Sequence, residues 1–323
     1  MDPEESGGDV IMNQIQRKSP FWSLAGPLLA YLAIQWVVQT AVILVISIPY
    51  MADAYASMMQ LGMERAVDMQ ELMEAGLKAM EPAFELVVRH QVEITGASAA
   101  GTLILTVILF VKDRKLEKIC GVVRPGKNPV SVYVLIVFLG AAGSIAATCL
   151  MAMAQLAFYD SGYQQTAQTI YEAGFPVQLA VLGILIPVSE ELMFRGILFK
   201  RFRERQGFWY SAICSAVFFM FMHTNTTQMV YAFLLGLMLA YLYERTGSLK
   251  APALLHILMN SGSVVFTETG VFLWLGSDPV RMAGAAIGGA FICSAVFVGI
   301  QKIVGAGEKD PPTDTTNPLD MFR

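Results

Sequence analysis

Eight apolar stretches divide this chain, and most are close to the ~20 residues a helix needs to cross ~30 Å of hydrocarbon. They run over roughly 22–49, 92–111, 130–157, 177–199, 208–223, 229–243, 251–266 and 281–304. No water reaches a backbone group in hydrocarbon, so such stretches satisfy their own N–H and C=O groups as helices. The expected fold is therefore all-α, a polytopic membrane helix bundle of about eight transmembrane helices. Charged residues are 15% of the 323 and hydrophobic ones 55%, against about 25% charged in soluble domains. The fifth and sixth stretches are short, which predicts helices that tilt, break or shelter behind neighbours.

The loops set an orientation. Lys112, Arg114, Lys115, Lys118, Arg124 and Lys127 crowd one loop, and Lys200, Arg201, Arg203 and Arg205 another. Arg17 with Lys18, Arg245 with Lys250, and Lys302 with Lys309 mark three more ends, whereas 158–176, 224–228 and 267–280 hold no Lys or Arg. The positive-inside rule then places both termini in the cytoplasm, with the plasma membrane as the expected location. Residues 1–21 read as a polar cytoplasmic tail, 22–306 as the membrane domain, and 307–323, polar and proline-containing, as a disordered tail. The first apolar run is too long for a signal-peptide core. The external 51–90 segment is acidic and Met-rich, with Met and Leu at helical spacing, which predicts amphipathic helices on the outer surface. Methionine fills apolar faces there, a simpler reading than a copper site. The four cysteines have no ligand or disulfide spacing. The net charge of −4 says little about partners, and with no basic domain nucleic acid is not an expected one. Gly284 and Gly288 form a GxxxG pair suited to helix packing or a dimer contact; the oligomeric state is open.

The fourth stretch contains Pro187-Val-Ser-Glu-Glu-Leu-Met-Phe-Arg195. A charged residue at a helix centre costs about 2.5–3.5 kcal/mol to insert, so the protein itself must receive Glu190, Glu191 and Arg195. Glu191 and Arg195 are four apart and can pair on one face, while Glu190 points about 100° away. One glutamate is then held by the arginine and the other left free. Glu190 lies about 15 Å of helix rise before Lys200, near the bilayer middle. Pro187 denies the Gly183 carbonyl its usual donor, so a kink or opening is expected there.

Two of the chain's three histidines fall in nearby stretches: His223 four residues after Phe219, and His256 four residues before Asn260. His90 reads as interfacial. Facing helices of a bundle build sites from such inward side chains. Two chemistries fit. A glutamate can activate water to attack a carbonyl while His and Asn donate to the oxyanion. Alternatively Glu190, His223 and His256 hold a divalent metal such as zinc, which polarises the carbonyl and activates the water. HExxH, GxSG and GxGD motifs are absent. A continuous fifth helix would carry His223 about 27 Å inward from Arg205, whereas His256 is about 9 Å past Lys250; a fifth helix that tilts, or starts inside the membrane, brings them level.

At these residues the sequence resembles the CPBP family, the CaaX protease and bacteriocin-processing membrane peptidases, which includes the type II CaaX prenyl endopeptidases. The family's EExxxR, FxxxH and HxxxN/D elements stand here as Glu190-Glu191-xxx-Arg195, Phe219-xxx-His223 and His256-xxx-Asn260. The resemblance covers about 177–266. It implies that Glu190 activates water, that Glu191 and Arg195 support it, that His223 is a further site member, and that His256 and Asn260 stabilise the oxyanion or bind the water. The expected function is an intramembrane endopeptidase acting on a peptide or membrane-anchored protein substrate in the lipid bilayer, entered from the cytoplasm or the bilayer. The alternatives are a non-catalytic scaffold, immunity or regulatory protein of the same fold, and an ion-coupled transporter.

Overall fold

The computed structural model describes residues 20–64, 67–122, 126–153, 161 and 173–307. Among them the chain forms ten helices and no strand. They are α1 (Pro20–Glu64), α2 (Met69–Arg89), α3 (Gln91–Ile119), α4 (Val130–Met153), α5 (Phe175–Arg203), α6 (Phe208–Met220), α7 (Thr226–Thr246), α8 (Lys250–Glu268), α9 (Val271–Gly276) and α10 (Pro279–Gly307). Six of these (α1, α3, α4, α5, α7 and α10) are long and apolar enough to cross a membrane, not eight. The two others expected to span fall short in different ways. α6 has only 13 residues, and α8, at 19, is less apolar because its inner face carries the polar side chains of the site. The tails, and the end of the third stretch beyond Met153, lie outside the described residues.

The first helix does not stop at residue 49. It runs on to Glu64, and α2 folds back along this extension: Gly76 lies against Met58, and Gly62 against Leu72. Asp68 caps α2 by accepting from Glu71 N at 2.8 Å. The Met-rich segment thus forms both packed arms of a helical hairpin, with Met51, Met63, Met69 and Met73 exposed along it.

The two largest packed centres among the described residues hold most of the bundle together. One joins α4, α7, α8 and α10 through Ile136, Leu139, Leu239, Leu255 and Ile300. The other joins α1, α5, α6 and α7 through Tyr31, Phe194, Ile197, Phe219 and Ala232. Lipid is as apolar as leucine, so close approach and polar contacts decide helix association. Ser215 Oγ accordingly donates to Phe194 O at 3.0 Å between α6 and α5. The GxxxG pair plays no such part within the chain. Gly284 and Gly288 are exposed, with nothing within 4 Å of an added Cβ, and Gly289 is the glycine that packs, against Ala146.

Candidate active site in the membrane bundle

α5 carries Glu190, Glu191 and Arg195, and its winding loosens on both sides of the glutamates: Leu179–Leu185 and Leu192–Phe199 are π-helical. Pro187 accounts for the first. Lacking an N–H, it leaves Gly183 O without an α-type donor and Leu182 O without a π-type donor. α8 supplies both. Asn260 Nδ2 donates to Leu182 O and Ser261 Oγ to Gly183 O, each at 3.2 Å. The approach depends on glycine at 183, where a Cβ would stand 2.6 Å from Ser261 Oγ and 3.4 Å from its Cα. The opening expected at Pro187 is a wide helical turn clasped by the neighbouring helix.

Glu191 is fully buried and joins two partners through one oxygen. Oε1 accepts from Arg195 Nη1 at 2.6 Å and from His256 Nδ1 at 2.9 Å. Arg195, also fully buried, donates through Nη2 to Gly236 O on α7 at 3.1 Å, and its guanidinium lies 4.7 Å over the Phe219 ring. The charges are compensated inside the protein, as mid-membrane ionised groups require.

Glu190 faces elsewhere. Its side chain keeps 13% exposure against none for Glu191, and it lines a cavity of about 970 Å³ together with Tyr31, His223 and Asn260. Glu190 Oε2 and His256 Nε2 are 3.8 Å apart. That is too long for a hydrogen bond, yet close enough for one water to contact both.

His223 lies just past α6, in the turn before α7, so the fifth stretch ends as a helix at Met220 rather than at 223. The depth conflict disappears because Phe219 bridges the levels. Its ring meets His223 and His256 edge-on, with centroids 5.2 and 5.7 Å away. His223 Nδ1 is 3.1 Å from Phe219 O. A carbonyl only accepts, so this Nδ1 donates, as does that of His256 towards the Glu191 carboxylate. Each neutral ring then presents Nε2 as a lone pair. His90 is remote from all of this, at the α2–α3 junction and 3.5 Å from Glu93.

Two imidazole lone pairs and a carboxylate are the right chemical types for a divalent metal. Their placement does not converge, however: among the described residues no three His, Cys, Asp or Glu side chains are positioned to hold one ion.

The pattern of charges in the sequence leaves several members unmarked. Thr102 on α3 and Ser189 on α5 are hydrogen-bonded at 2.9 Å, and buried Tyr31 on α1 lies beside them and lines the cavity with Glu190. A single tyrosine and two small hydroxyls in apolar runs carry no spacing signal. Ser261 was adjacent to a motif residue, and Pro187 announced the carbonyls it would serve. Gly236 contributes only a carbonyl oxygen.

Residues 172–262 match the model of the family described as type II CAAX prenyl endopeptidase Rce1-like. The chain is 29% identical over 117 residues to the "Putative membrane peptidase YdiL" of Bacillus subtilis (strain 168), covering 36% of this chain and 48% of that protein. It is 32% identical over 93 residues to an "Uncharacterized 24.3 kDa protein" of Escherichia coli, covering 27% of this chain and 43% of that one. The matched segment thus spans about half the length of these relatives. No solved structure matches.

Proposed function

We propose, from the match of residues 172–262 to the Rce1-like family model and the likeness to a membrane peptidase, that this chain is a membrane protease of the CPBP kind, an endopeptidase whose Glu190 activates water inside the bundle. The observation that carries the reading is the split between the two glutamates. Glu191 is consumed by Arg195 and His256, while Glu190 lines the cavity 3.8 Å from the other nitrogen of the same histidine.

In this mechanism a water sits between Glu190 Oε2 and His256 Nε2. Glu190 accepts its proton as the hydroxide oxygen bonds to the substrate carbonyl carbon. The oxyanion is met by donors on the cavity wall: the second amide N–H of Asn260 and the Tyr31 hydroxyl. Glu190 then returns the proton to the departing amine as the C–N bond breaks. Glu191 and Arg195 act through His256, fixing its tautomer and angle. His223 Nε2 accepts from a backbone N–H of the bound peptide. No step is routed through a metal. The basic helix ends lie in the cytoplasm and the bilayer is the plasma membrane.

The test uses purified full-length protein in lipid nanodiscs with membrane-anchored peptides, prenylated and unprenylated, beside Glu190→Gln and His223→Ala. Cleavage by the wild-type chain and its loss in both variants is expected. Cleavage that persists in both removes the assignment. A chelator arm with zinc add-back reports on metal separately: loss and recovery there would assign an ion to the two Nε2 atoms.

A further inference from the structure

The cavity stops short of the basic end. Its lining residue nearest the basic end, by position along its own helix, is Met259, nine residues into α8 from Lys250, about 14 Å. On α5 the lining runs through Leu182, Ile186 and Glu190 and then stops, thirteen residues or about 20 Å before Arg203. In the other direction it reaches Val88 and Gln91 at the α2–α3 junction, Met151 near the end of α4, and the 221–228 turn.

The basic end is latched shut. Arg201 holds Asp113 through two bonds of 2.9 Å and Ser23 O at 2.5 Å, Lys200 pairs with Glu117, and Arg203 pairs with Glu244 at 2.9 Å. Asn128 adds a bond to Thr246 O at 2.8 Å. These residues belong to the loops richest in Lys and Arg. The opposite end carries Arg65, Lys78, Arg89 and Arg281 dispersed among more numerous acidic residues. The end through which the cavity reaches Glu190 is therefore the one the positive-inside rule assigns to the far side of the membrane.

The wall also restricts what can enter. Besides apolar groups it presents amides and hydroxyls, among them Gln35, Gln39, Thr95, Thr148, Gln228 and Ser263. Among the described residues Glu190 is its one carboxylate, and no Lys or Arg lines it. A terminal carboxylate brought beside Glu190 would be desolvated with no cation to receive it. Uncharged backbone, by contrast, finds donors and acceptors along the wall. Phe221, 64% exposed in the turn before α7, stands at the rim as an apolar support for a chain lying at the membrane surface.

We propose that the Glu190 site is entered from the non-cytoplasmic face and that its substrate is an uncharged internal stretch of polypeptide held at that surface, not a free C-terminal tail presented from the cytoplasm. The substrate half of this rests on the peptidase reading above; the access half does not.

Access is tested without any activity. Cys120, Cys149, Cys214 and Cys293 are replaced by serine in the full chain, and Thr148→Cys, Gln228→Cys or Lys127→Cys is added singly. Spheroplasts are treated with a membrane-impermeant maleimide before and after permeabilisation. Labelling of the two cavity positions in sealed spheroplasts, with Lys127→Cys labelled only after permeabilisation, is expected. The reverse pattern overturns the proposal. Should the serine background fail to fold, wild-type chain bearing a protease site after residue 127 reports the same sidedness, and cleavage of that site from outside sealed cells overturns it.

The substrate half uses fluorescence-quenched peptides of one sequence. One carries the scissile region internally, with neutral flanks. The other is truncated to leave a free carboxylate two residues beyond it. The internal form should be cleaved about tenfold faster or more, the factor that ~1.4 kcal/mol of uncompensated charge burial produces. Equal or faster cleavage of the truncated form overturns this half. If neither is cleaved, and Glu190→Gln changes nothing, the peptidase reading and the substrate half fall together, while the labelling result still decides the face.

Discussion

Arg195 and Arg201 stand six residues apart on α5, each clasped by a carboxylate, yet they do different work. Arg201 lies at the latched end. Its side chain is 16% exposed, it takes Asp113 from another helix in a fork-to-fork pair, and it touches the α1 backbone. Arg195 is fully buried, takes Glu191 from its own helix, and spends its second nitrogen on α7. The decisive difference is the carboxylate. The Asp113 contacts serve helix packing, whereas the Glu191 oxygen that holds Arg195 also holds His256. A buried ion pair is weak evidence for stability by itself; one that shares its anion with a histidine 3.8 Å from cavity-lining Glu190 joins packing to the candidate site.

The sharpest break in the comparison is Glu190→Gln. It leaves both arginine clamps untouched, so the chain should fold and unfold as wild type in detergent. Peptide cleavage should fall roughly 10²–10⁴-fold, the usual weight of a general base. A variant that retains most activity would return the whole cluster to the same status as the Arg201 latch.

Arg195→Met should have the largest effect on stability. It strands Glu191 in a dry interior, and removing one partner of a buried pair costs about 3–5 kcal/mol. Thermal unfolding in detergent, or yield of folded protein, would register this. Adding Glu191→Gln should recover much of the loss without recovering activity, because His256 loses its anionic anchor. Arg195→Lys should rescue poorly, since a single ammonium cannot reach Glu191, Gly236 O and the Phe219 face in one geometry. If the double variant is as unstable as the single, the stranded-charge account is wrong.

How much of this could be read from the sequence varies along the chain. The all-helical bundle was legible because insertion energetics write themselves as apolar blocks, and basic loops mark their ends. The count of eight is not confirmed: helices stand at the fifth and seventh stretches, but α6 is too short and α8 too polar to qualify as a span by length and apolarity. Glu191–Arg195 pairing followed from i, i+4 spacing. The way His223 and His256 meet did not, because it depends on one phenyl ring from a short helix. Tyr31, Thr102 and Ser189 were silent: hydroxyls become informative only when three helices bring them together. The GxxxG pair does not pack within the chain, since small residues announce close approach without saying to what.

A subtler break concerns the π-helical turn. Asn260→Ala and Ser261→Ala each remove a side-chain donor from a carbonyl that Pro187 has orphaned. Each should cost about 1–3 kcal/mol, the penalty of an unsatisfied buried group. Pro187→Ala returns an N–H to α5, so in that background the same two changes should cost measurably less. Their coupling, read by a double-mutant cycle on unfolding midpoints, distinguishes a clasp that serves the proline from one that merely adds contacts. Additive losses would show that the winding of α5 is set elsewhere.

The smallest effect belongs to the latched end. Arg203 and Glu244 are both about 30% exposed, so Arg203→Ala should cost only ~0–1 kcal/mol, less still at high salt. Cleavage rates should not change, because nothing from this pair reaches the cavity. Sidedness is the property the change can touch, since it removes one of the positive charges on which the proposed orientation rests. One charge among so many should leave the orientation intact, as impermeant labelling of Gln228→Cys would show. Reversal would take the Arg201, Arg203 and Arg205 positions together, and would then carry the cavity mouth to the cytoplasmic face with its chemistry unaltered. Cleavage in detergent would survive such an inversion, and cleavage of a surface-held substrate on intact cells would not.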